Sequence, residues 1–520
     1  MTIRLLTGAA LAAAISLTLF TRAVAARPDI DAVFARYTTA TPGCAVAVST
    51  DGTSTPALAK GYGMADLEHD VRITPDTIFE AGSVSKQFTA AAVLLLARDG
   101  KLSIDDPVRR YIPELPDYGK PLLIRHMLNH TSGLRDWGSV AAISGWPRTS
   151  RVHTHAHVLE IASRQQALNF PPGSRWSYSN TGFNLAAIIV SRVSGVPFVD
   201  FTRDRIFRPL GMTHTSWRND FTRIVKGRAI AYDDEDGEFH TDMPFENVYG
   251  NGGLLTTVGD LLKWNENFSR PVVGDADFVA LQQQPGAFND GRRHNYAFGL
   301  YVGKRQGERE VYHSGSTAGY SAFLTRFPDR KLGIAVLCNV ATNATTLAHA
   351  VADQYLGITA PVPPLAVTEA EIHANAGLYR NTMTGAALRI DHDREAALRG
   401  RRWSFDGHGG AAAVDDYGTT ETFERVEAAA PTAQALEAYA GLYASDEAEV
   451  ELRAIVENGR LVLKRRPDTT MALTPLYADA FSTPGLGTVI FHRNADHQPV
   501  EFHVSQERVW NMTFARERER

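Results

Sequence analysis

The stretch that most restricts how this chain can fold is Ile78–Leu96, with the sequence IFEAGSVSKQFTAAAVLLL. Two small residues, Ala81 and Gly82, precede a serine, and an apolar run follows it at the spacing of a buried helix. The pattern predicts a turn that delivers Ser83 to the start of that helix. Because residues three apart share one face of a helix, we expect the Lys86 amine to lie one turn from the Ser83 hydroxyl.

The spacing of Ser83 and Lys86 is suggestive but not decisive, because it also fits a plain helix start with an exposed lysine. A serine gains from the dipole at a helix N-terminus, and a neighbouring amine can take its proton. The chain favours arginine over lysine, and arginine does not deprotonate in proteins, so a lysine beside a serine is chemically informative. The rest of the chain has to decide what this pair does.

Length and charge are those of an ordinary globular protein. At 520 residues the chain has room for two or three domains, and its net charge of −5 gives no reason to expect a nucleic-acid partner. Arg4, the apolar core Leu5–Phe20 and the small residues at 23–25 are typical of a secretory signal peptide over residues 1–26. Because the core is short and interrupted, a membrane anchor is not expected. We predict a secreted or periplasmic protein.

Two cysteines, Cys44 and Cys338, each lie in an apolar, strand-like run. They fit either a disulfide of an exported protein or two thiols buried in a core sheet. The sequence leaves both alternatives open, and neither cysteine has a metal-ligand pattern beside it.

The histidine-rich and acidic segments do not predict a metal centre. His126 and His130 are four residues apart, but no third ligand accompanies them. The histidines of the string HTHAH at 153–157 would share one face only in a strand, whereas the residues that follow predict a helix. The acidic stretch 233–237 fails the calcium-loop template, and a hairpin turn is the better interpretation. We therefore expect no metal and no cofactor.

Two later segments carry polar residues beside predicted regular structure. Tyr178 and Asn180 flank one residue at the junction between a loop and the apolar helix predicted at Thr181–Val193. In an extended loop both would face one cleft; alternatively Tyr178 packs on the helix and Asn180 caps it. The segment VYHSGSTAG at 311–319 precedes two strand-like runs, and its glycines either allow close approach of a substrate backbone or simply form a hairpin entry.

The composition changes from helix-forming to strand-forming segments at the linker Pro361-Val-Pro-Pro364. Beyond it Ala376-Gly-Leu-Tyr379 recurs as Ala440-Gly-Leu-Tyr443, and a Leu-Arg pair follows each copy at the same offset. Two degenerate copies with short alternating runs predict two small antiparallel barrels, or two halves of one, at 365–430 and 433–520. The last residues, Arg516–Arg520, are expected to form a solvated tail.

In chain order, Ser83-x-x-Lys86, Tyr178-x-Asn180 and His313-x-Gly315 resemble the three motifs of the penicillin-recognising serine hydrolases. This family includes class C β-lactamases, D-Ala-D-Ala carboxypeptidases, D-aminopeptidases and related esterases. The likeness covers roughly residues 30–355, since linking segments match as well, namely Leu128–Leu134, Ile206–Met212 and Gly252–Thr257.

The resemblance implies an α+β fold. It implies a β-lactamase-like catalytic domain over residues 27–358, in which an antiparallel sheet is flanked by helices with a helical lobe beside it. All-β C-terminal barrel domains would follow, the second of them lipocalin-like. The active site of such a fold lies in the cleft between the sheet and the helical lobe.

The resemblance also assigns roles to the motif residues. Ser83 would be the nucleophile, Lys86 its proton acceptor, and Tyr178 the relay that passes the proton to the leaving group. The substrate-binding residues would be Asn180, which holds the substrate amide, the strand residues His313 and Gly315, and Ser316, whose backbone N–H would complete an oxyanion hole with that of Ser83.

The third motif departs from the commonest family pattern. Many relatives place a lysine where His313 stands, and its charge holds a substrate carboxylate, whereas histidine is mostly neutral at pH 7. The His-x-Gly variant resembles that of D-aminopeptidases, which also carry two C-terminal barrels and a barrel loop that reaches the cleft.

The resemblance therefore implies an exported serine hydrolase that acts through an acyl-enzyme and releases an N-terminal D-amino acid. The alternatives are a carboxylesterase or D-Ala-D-Ala carboxypeptidase with weak β-lactamase activity, and a non-catalytic module that binds cell-wall peptide. The expected partner is a small peptide, amide or ester substrate, and a homodimer is compatible with the sequence.

Overall fold

The computed structural model describes residues 28–359, 367–391, 398, 401–415 and 418–518. The predicted signal peptide and the Pro361–Pro364 linker lie outside the described residues. The domain boundaries set at these two segments therefore stay predictions.

A six-stranded antiparallel sheet forms the centre of the first domain and joins its N-terminal and C-terminal ends. In spatial order its strands are Tyr301–Arg305, Glu308–Thr317, Tyr320–Phe327, Leu332–Cys338, Cys44–Ser49 and Leu58–Tyr62. Successive side chains of a strand point to opposite faces. Ala45 and Leu337 accordingly join the core on one face of this central sheet, and Val46 and Val336 join the core on the other. Burial on both faces explains why the inner strands Cys44–Ser49 and Leu332–Cys338 are largely continuous apolar runs.

The two cysteines form a disulfide across this sheet. Cys44 and Cys338 stand directly opposite each other on neighbouring antiparallel strands, and their sulfurs are bonded. The alternative of two buried thiols is therefore excluded.

Helices cover both faces of the central sheet. The helices Ile30–Val33 and Ala344–Leu356 pack on one face. The other face carries the helical lobe, built around the central helix Lys86–Arg98, which is buried from Lys86 through Leu96. The other helices on that side and in the lobe are Ile124–Leu128, Trp137–Ile143, His155–Arg164, Asn180–Ser194, Phe198–Thr202, Val258–Asn267 and Ala276–Gln282, with short turns of helix at Gly82–Ser85, Val108–Arg110, Arg203–Phe207 and Pro328–Arg330.

Within the described ranges, no single helix is long and apolar enough to cross a bilayer. The pair Asn180–Ser194 and Phe198–Phe207 reaches that length and composition only jointly, across an 83° bend.

Short strands complete the first domain. They are Phe79–Glu80, Leu254–Thr256 and Ser216–Trp217 in one small sheet, Met64–Asp66 with Val71–Arg72 in a second, and Tyr232–Glu235 with Glu238–Thr241 in a third. The third confirms the hairpin predicted for the acidic stretch 233–237.

The histidine string at 153–157 runs into a helix, as predicted, and its rings contact different partners. The ring nitrogens of His153 and His155 lie 3.1 and 2.9 Å from the backbone carbonyls of Trp146 and Tyr249. The rings of His153 and His155 therefore point to different carbonyls.

Two antiparallel sheets form the C-terminal part, and each begins with one copy of the repeat. The five-stranded sheet has the order Ala387–Ile390, Gly377–Asn381, Thr420–Val426, Gly410–Asp415 and Arg401–Phe405. The nine-stranded sheet has the order Thr469–Ala472, Arg460–Arg465, Val450–Glu457, Gly441–Ser445, Met512–Arg516, Pro499–Ser505, Gly487–Arg493, Ala480–Thr483 and Thr474–Pro475. The helices Glu369–Ala374 and Ala433–Leu436 precede them.

The repeat has the same structure in both sheets. Tyr379 pairs with Leu388, and Tyr443 pairs with Leu452. Each tyrosine hydroxyl donates to the backbone carbonyl four residues earlier, at 3.0 Å. The predicted all-β C-terminal domain is thus confirmed.

The nine-stranded sheet curls into a nearly closed barrel, whereas the five-stranded sheet forms a half-barrel. The two edge strands of the larger sheet, Thr469–Ala472 and Thr474–Pro475, are separated by Leu473 alone, so the edges have to lie side by side. The inside of this barrel is filled by aromatic rings, among them Tyr443, Phe491 and Phe502.

The prediction that Arg516–Arg520 form a solvated tail is wrong for Arg516. Arg516 ends a barrel strand, and its guanidinium donates to the backbone carbonyls of Pro499 and Ala440. Arg425 makes the equivalent bond to Ala376 in the half-barrel. The reason is that each repeat leaves a carbonyl at the start of its first strand that an arginine satisfies.

Candidate active site

One cavity of about 930 Å³ lies where the central sheet, the helical lobe and both C-terminal sheets meet. It contains the residues of all three motifs except Lys86, which lies just behind the serine. The predicted site residues that line it are Ser83, Tyr178, Asn180, His313, Gly315 and Ser316. The fold thus brings together motifs that are far apart in the sequence.

Ser83 lies on a short helical turn that leads directly into the central helix. This turn touches the backbone of the neighbouring strand so closely that two glycines are required. Gly82 has φ +49°, and a Cβ there would lie 2.5 Å from the Ser316 nitrogen. A Cβ on Gly315 would lie 2.1 Å from the Ala81 oxygen. The backbone nitrogens of Ser83 and Ser316 therefore lie on two segments in direct contact, as an oxyanion hole requires.

The Lys86 amine is fully buried, and its three polar neighbours carry no charge. Its Nζ lies 3.0 Å from the Ser83 Oγ and donates to the Asn180 Oδ1 at 2.9 Å and to the Asn251 carbonyl at 2.7 Å. A neutral amine has two N–H groups and one lone pair. Two donated bonds therefore leave the lone pair for the Ser83 hydroxyl proton.

Burial is the main reason that the pKa of Lys86 lies well below its usual range. The positive charges of Arg508 and Arg148 lower the pKa of this lysine further, and Asp136 opposes them only in part. The site thus holds an amine that is ready to accept a proton from Ser83.

Tyr178 lies between the Lys86 amine and the Arg508 guanidinium. The Lys86 Nζ is 4.7 Å from the centroid of the Tyr178 ring, and the guanidinium carbon of Arg508 is 4.9 Å from it. Tyr178 is thus placed next to the Lys86 amine, as a residue that passes a proton on requires.

His130 holds the Tyr178 segment in place, a role that its four-residue spacing from His126 did not predict. Its Nδ1 accepts from the Ser179 N–H at 3.1 Å, and its carbonyl accepts from the Ser177 N–H at 3.0 Å. The ring is fully buried, and burial holds its pKa well below the usual range. The matched linking segment Leu128–Leu134 was the one signal in the sequence that pointed to it.

Sequence reasoning missed two further residues that position the motifs. The Asp136 carboxylate accepts from the Asn180 N–H at 2.7 Å and also caps the helix Trp137–Ile143. The Asn251 backbone carbonyl accepts from Lys86. The Asn251 side-chain oxygen Oδ1 accepts from the Asn184 side-chain NH₂ group at 2.7 Å. Neither residue belongs to a recognisable local pattern, so no signal in the sequence singled it out.

His313 is neutral and provides no fixed positive charge. Its ring is 1% exposed, with Nε2 2.9 Å from the Tyr296 hydroxyl and Nδ1 2.6 Å from the Ser314 carbonyl. One nitrogen can donate to the carbonyl while the other accepts from the hydroxyl, which is the pattern of a neutral imidazole. Burial lowers the pKa of His313 to about 3.

A loop of the nine-stranded barrel reaches the cavity. This barrel loop, residues 506–511, contributes Glu507, Arg508 and Trp510 to the cavity wall. The Arg508 carbonyl accepts from the Asp136 N–H at 3.2 Å and from the Asn169 side chain at 3.1 Å. The loop is therefore fixed against the helical lobe and restricts the space in front of Ser83.

Comparison with known proteins agrees with this geometry. The model of the beta-lactamase family matches residues 22–356. The chain is 28% identical to penicillin-binding protein 4* of Bacillus subtilis, over 54% of this chain and 64% of that protein. It is 27% identical to D-aminopeptidase of Gluconobacter oxydans, over 67% of this chain and 65% of that protein. The chain thus spans slightly less than two thirds of the length of both relatives.

Solved structures share the fold along nearly the whole chain. The octameric penicillin-binding protein homologue from Pyrococcus abyssi superposes with a TM-score of 0.56 at 22% identity, over 92% of this chain and 96% of that one. The match therefore includes the C-terminal sheets. Since the family model covers more than half of the chain, this protein belongs to the beta-lactamase family.

Proposed function

We propose that this protein is a serine hydrolase that acts through an acyl-enzyme and releases an N-terminal D-amino acid from short peptides or amides. The observation that carries the proposal is the buried Lys86 amine, 3.0 Å from the Ser83 Oγ and bonded to uncharged acceptors. Such an amine accepts a proton at neutral pH, which an exposed lysine does not.

In the acylation step the Ser83 Oγ attacks the substrate carbonyl carbon while Lys86 takes the hydroxyl proton. The oxygen of the tetrahedral intermediate accepts hydrogen bonds from the backbone N–H groups of Ser83 and Ser316, each worth about 3–4 kcal/mol in comparable sites. The proton passes through Tyr178 to the leaving nitrogen, and the C–N bond breaks. Water then hydrolyses the serine ester, which releases the amino acid and restores Ser83.

The substrate class rests on the geometry around the reacting serine. The Asn180 side-chain oxygen is occupied by Lys86, which leaves its NH₂ group to donate to a substrate carbonyl. His313 supplies no charge for a penicillin carboxylate, and the barrel loop favours short substrates. The resemblance to D-aminopeptidases supports the same choice.

The test is the steady-state rate on three substrates, with Ser83→Ala as the inactive control. They are D-Ala-p-nitroanilide, a short acyl p-nitrophenyl ester and a D-Ala-D-Ala peptide, with L-Ala-p-nitroanilide as the stereochemical control. We expect turnover of the D-anilide in preference to the L-anilide. If neither the D-anilide nor free D-Ala-D-Ala loses its N-terminal D-alanine, while the ester or an N-acylated D-Ala-D-Ala peptide is hydrolysed, the enzyme is instead an esterase or a carboxypeptidase.

We also propose that the protein works outside the cytoplasm. The signal-peptide pattern of residues 1–26 and the Cys44–Cys338 disulfide support this location, because disulfides persist in oxidising compartments. The full chain is expressed in a bacterial host, and the intact mass of the exported fraction is measured. We expect a mature chain that begins near Ala26, whereas an uncleaved chain retained in the cytoplasm would contradict the location.

A further inference from the structure

Four arginines line the cavity, and three of them have fixed partners within the protein. Arg148 pairs with Glu246, Arg401 pairs with Glu421 at 2.6 Å, and Arg175 donates to the Thr420 carbonyl at 2.8 Å. Arg148 and Arg401 are thus paired with carboxylates, and Arg175 is held by a backbone carbonyl. The fourth, Arg508 of the barrel loop, is different.

The Arg508 side chain is one third exposed. Among the described residues, the carboxylate within 4.0 Å of it is that of Glu507, whose Oε1 lies 3.5 Å from the Arg508 Nε. The Glu507 side chain is 83% exposed, so this pair contributes little. The Arg508 Nε is buried and has no hydrogen-bond acceptor in the described parts of the chain. Nearby Asp136 is already engaged by backbone N–H groups. The negative charges of Asp136 and Glu507 raise the pKa of Arg508, but its buried Nε remains an unused donor beside the cavity.

The backbone of Arg508 is held firmly while its guanidinium lies beside Tyr178. Its carbonyl accepts two hydrogen bonds from the helical lobe, and its guanidinium carbon is 4.9 Å from the centroid of the Tyr178 ring. In the proposed reaction Tyr178 hands a proton to the leaving nitrogen. In an unblocked dipeptide the carboxylate sits on the carbon attached to that nitrogen. A cation beside Tyr178 is therefore on the leaving-group side of the scissile bond.

We propose that Arg508 binds the carboxylate of the leaving amino acid, so that the preferred substrates are short D-peptides with a free C-terminus rather than capped amides. A guanidinium with free N–H groups matches a carboxylate in shape and charge. The cation that many relatives place at the position of His313 is thus replaced by one from the C-terminal barrel. This inference rests on the proposed function and narrows its substrate class.

The test compares kcat/KM for D-Ala-D-Ala with that for its C-terminal amide. Both substrates share the acyl part, so any effect of Arg508 on Lys86 or Tyr178 cancels in the acid-to-amide ratio. In Arg508→Gln we expect this ratio to fall about 10- to 100-fold, the loss typical of a charged hydrogen bond, and Arg508→Lys restores part of it. The matched control is Arg460→Gln, which removes an exposed charge from the same barrel outside the cavity and keeps the ratio unchanged.

An acid-to-amide ratio that stays the same in Arg508→Gln overturns the inference, even if both rates fall together. That outcome would assign Arg508 to tuning Lys86 or Tyr178. Arg508→Met is the second neutral variant if the Gln variant does not fold, as judged by thermal unfolding.

A failure of the proposed function is distinguishable from a failure of this inference. If the wild type releases no N-terminal D-alanine, the same ratio is measured with N-acetyl-D-Ala-D-Ala and its amide, which only a carboxypeptidase-type reaction cleaves. A ratio that depends on Arg508 in that pair supports carboxylate binding, and a ratio that does not depend on Arg508 overturns it.

Discussion

Replacement of Lys86 by methionine tests whether the buried amine is neutral in the folded protein. The unfolded chain keeps its lysines protonated up to about pH 10.4, whereas burial and Arg508 lower the pKa of Lys86 in the folded state. Between those two pKa values unfolding takes up one proton. The free energy of unfolding therefore rises with pH by about 1.4 kcal/mol per unit in that window, and falls as pH drops toward the folded pKa.

The assay is urea unfolding of the wild type and Lys86→Met at several pH values between about 8 and 9.5. The difference in unfolding free energy between them should change by about 1.4 kcal/mol per pH unit, the wild type gaining as pH rises. In Lys86→Met the acceptors on Asn180 and Asn251 lose their donor. This loss shifts the difference in unfolding free energy by a constant amount at every pH and does not change its slope. Parallel curves would mean that Lys86 stays protonated when folded, and they would refute its role as the base.

Two further predictions concern stability. Buried histidines should make the protein acid-sensitive: unfolded histidine protonates near pH 6.5, while burial holds the folded pKa well below that value, so each histidine costs up to about 1.4 kcal/mol per pH unit as pH falls below 6.5. The histidines concerned are His126, His130, His155, His294 and His313. Equal urea midpoints at pH 7 and pH 5 would contradict this prediction. Replacing both Cys44 and Cys338 by serine should cost about 2–5 kcal/mol and lower the thermal midpoint, because the bond closes a loop with a sequence separation of 294. A midpoint equal to that of the oxidised wild type would contradict this second prediction.

Local sequence patterns predicted the parts of the site that depend on neighbours in the chain. Ser83 and Lys86 are three apart on one turn, so their contact follows from helix geometry alone. The repeat likewise predicted two equivalent strand pairs, because Tyr379 and Tyr443 carry the same partners at the same offset. Such features are determined by spacing and need no knowledge of the tertiary fold.

The features that escaped prediction depend on contacts between distant segments. Arg508 lies in a loop of the last barrel, and nothing in its local sequence indicates that Tyr178 is its neighbour. His130 was weighed as a metal ligand, but a positive φ of 62° and two hydrogen bonds to the Tyr178 segment determine its place. Arg516 was expected in solvent because a charged terminus usually is, yet the barrel strand continues to that residue.

The most direct test of Ser83 as the nucleophile and Lys86 as its base is the site and rate of covalent labelling by a fluorophosphonate or β-lactam probe. Intact-mass measurement and peptide mapping are carried out on the wild type, Ser83→Ala and Lys86→Met. We expect one adduct on Ser83 in the wild type, none in Ser83→Ala, and labelling of Lys86→Met that is about 10²- to 10⁴-fold slower, the usual contribution of a positioned base. Undiminished labelling of Ser83→Ala, or an adduct on another residue, would contradict it.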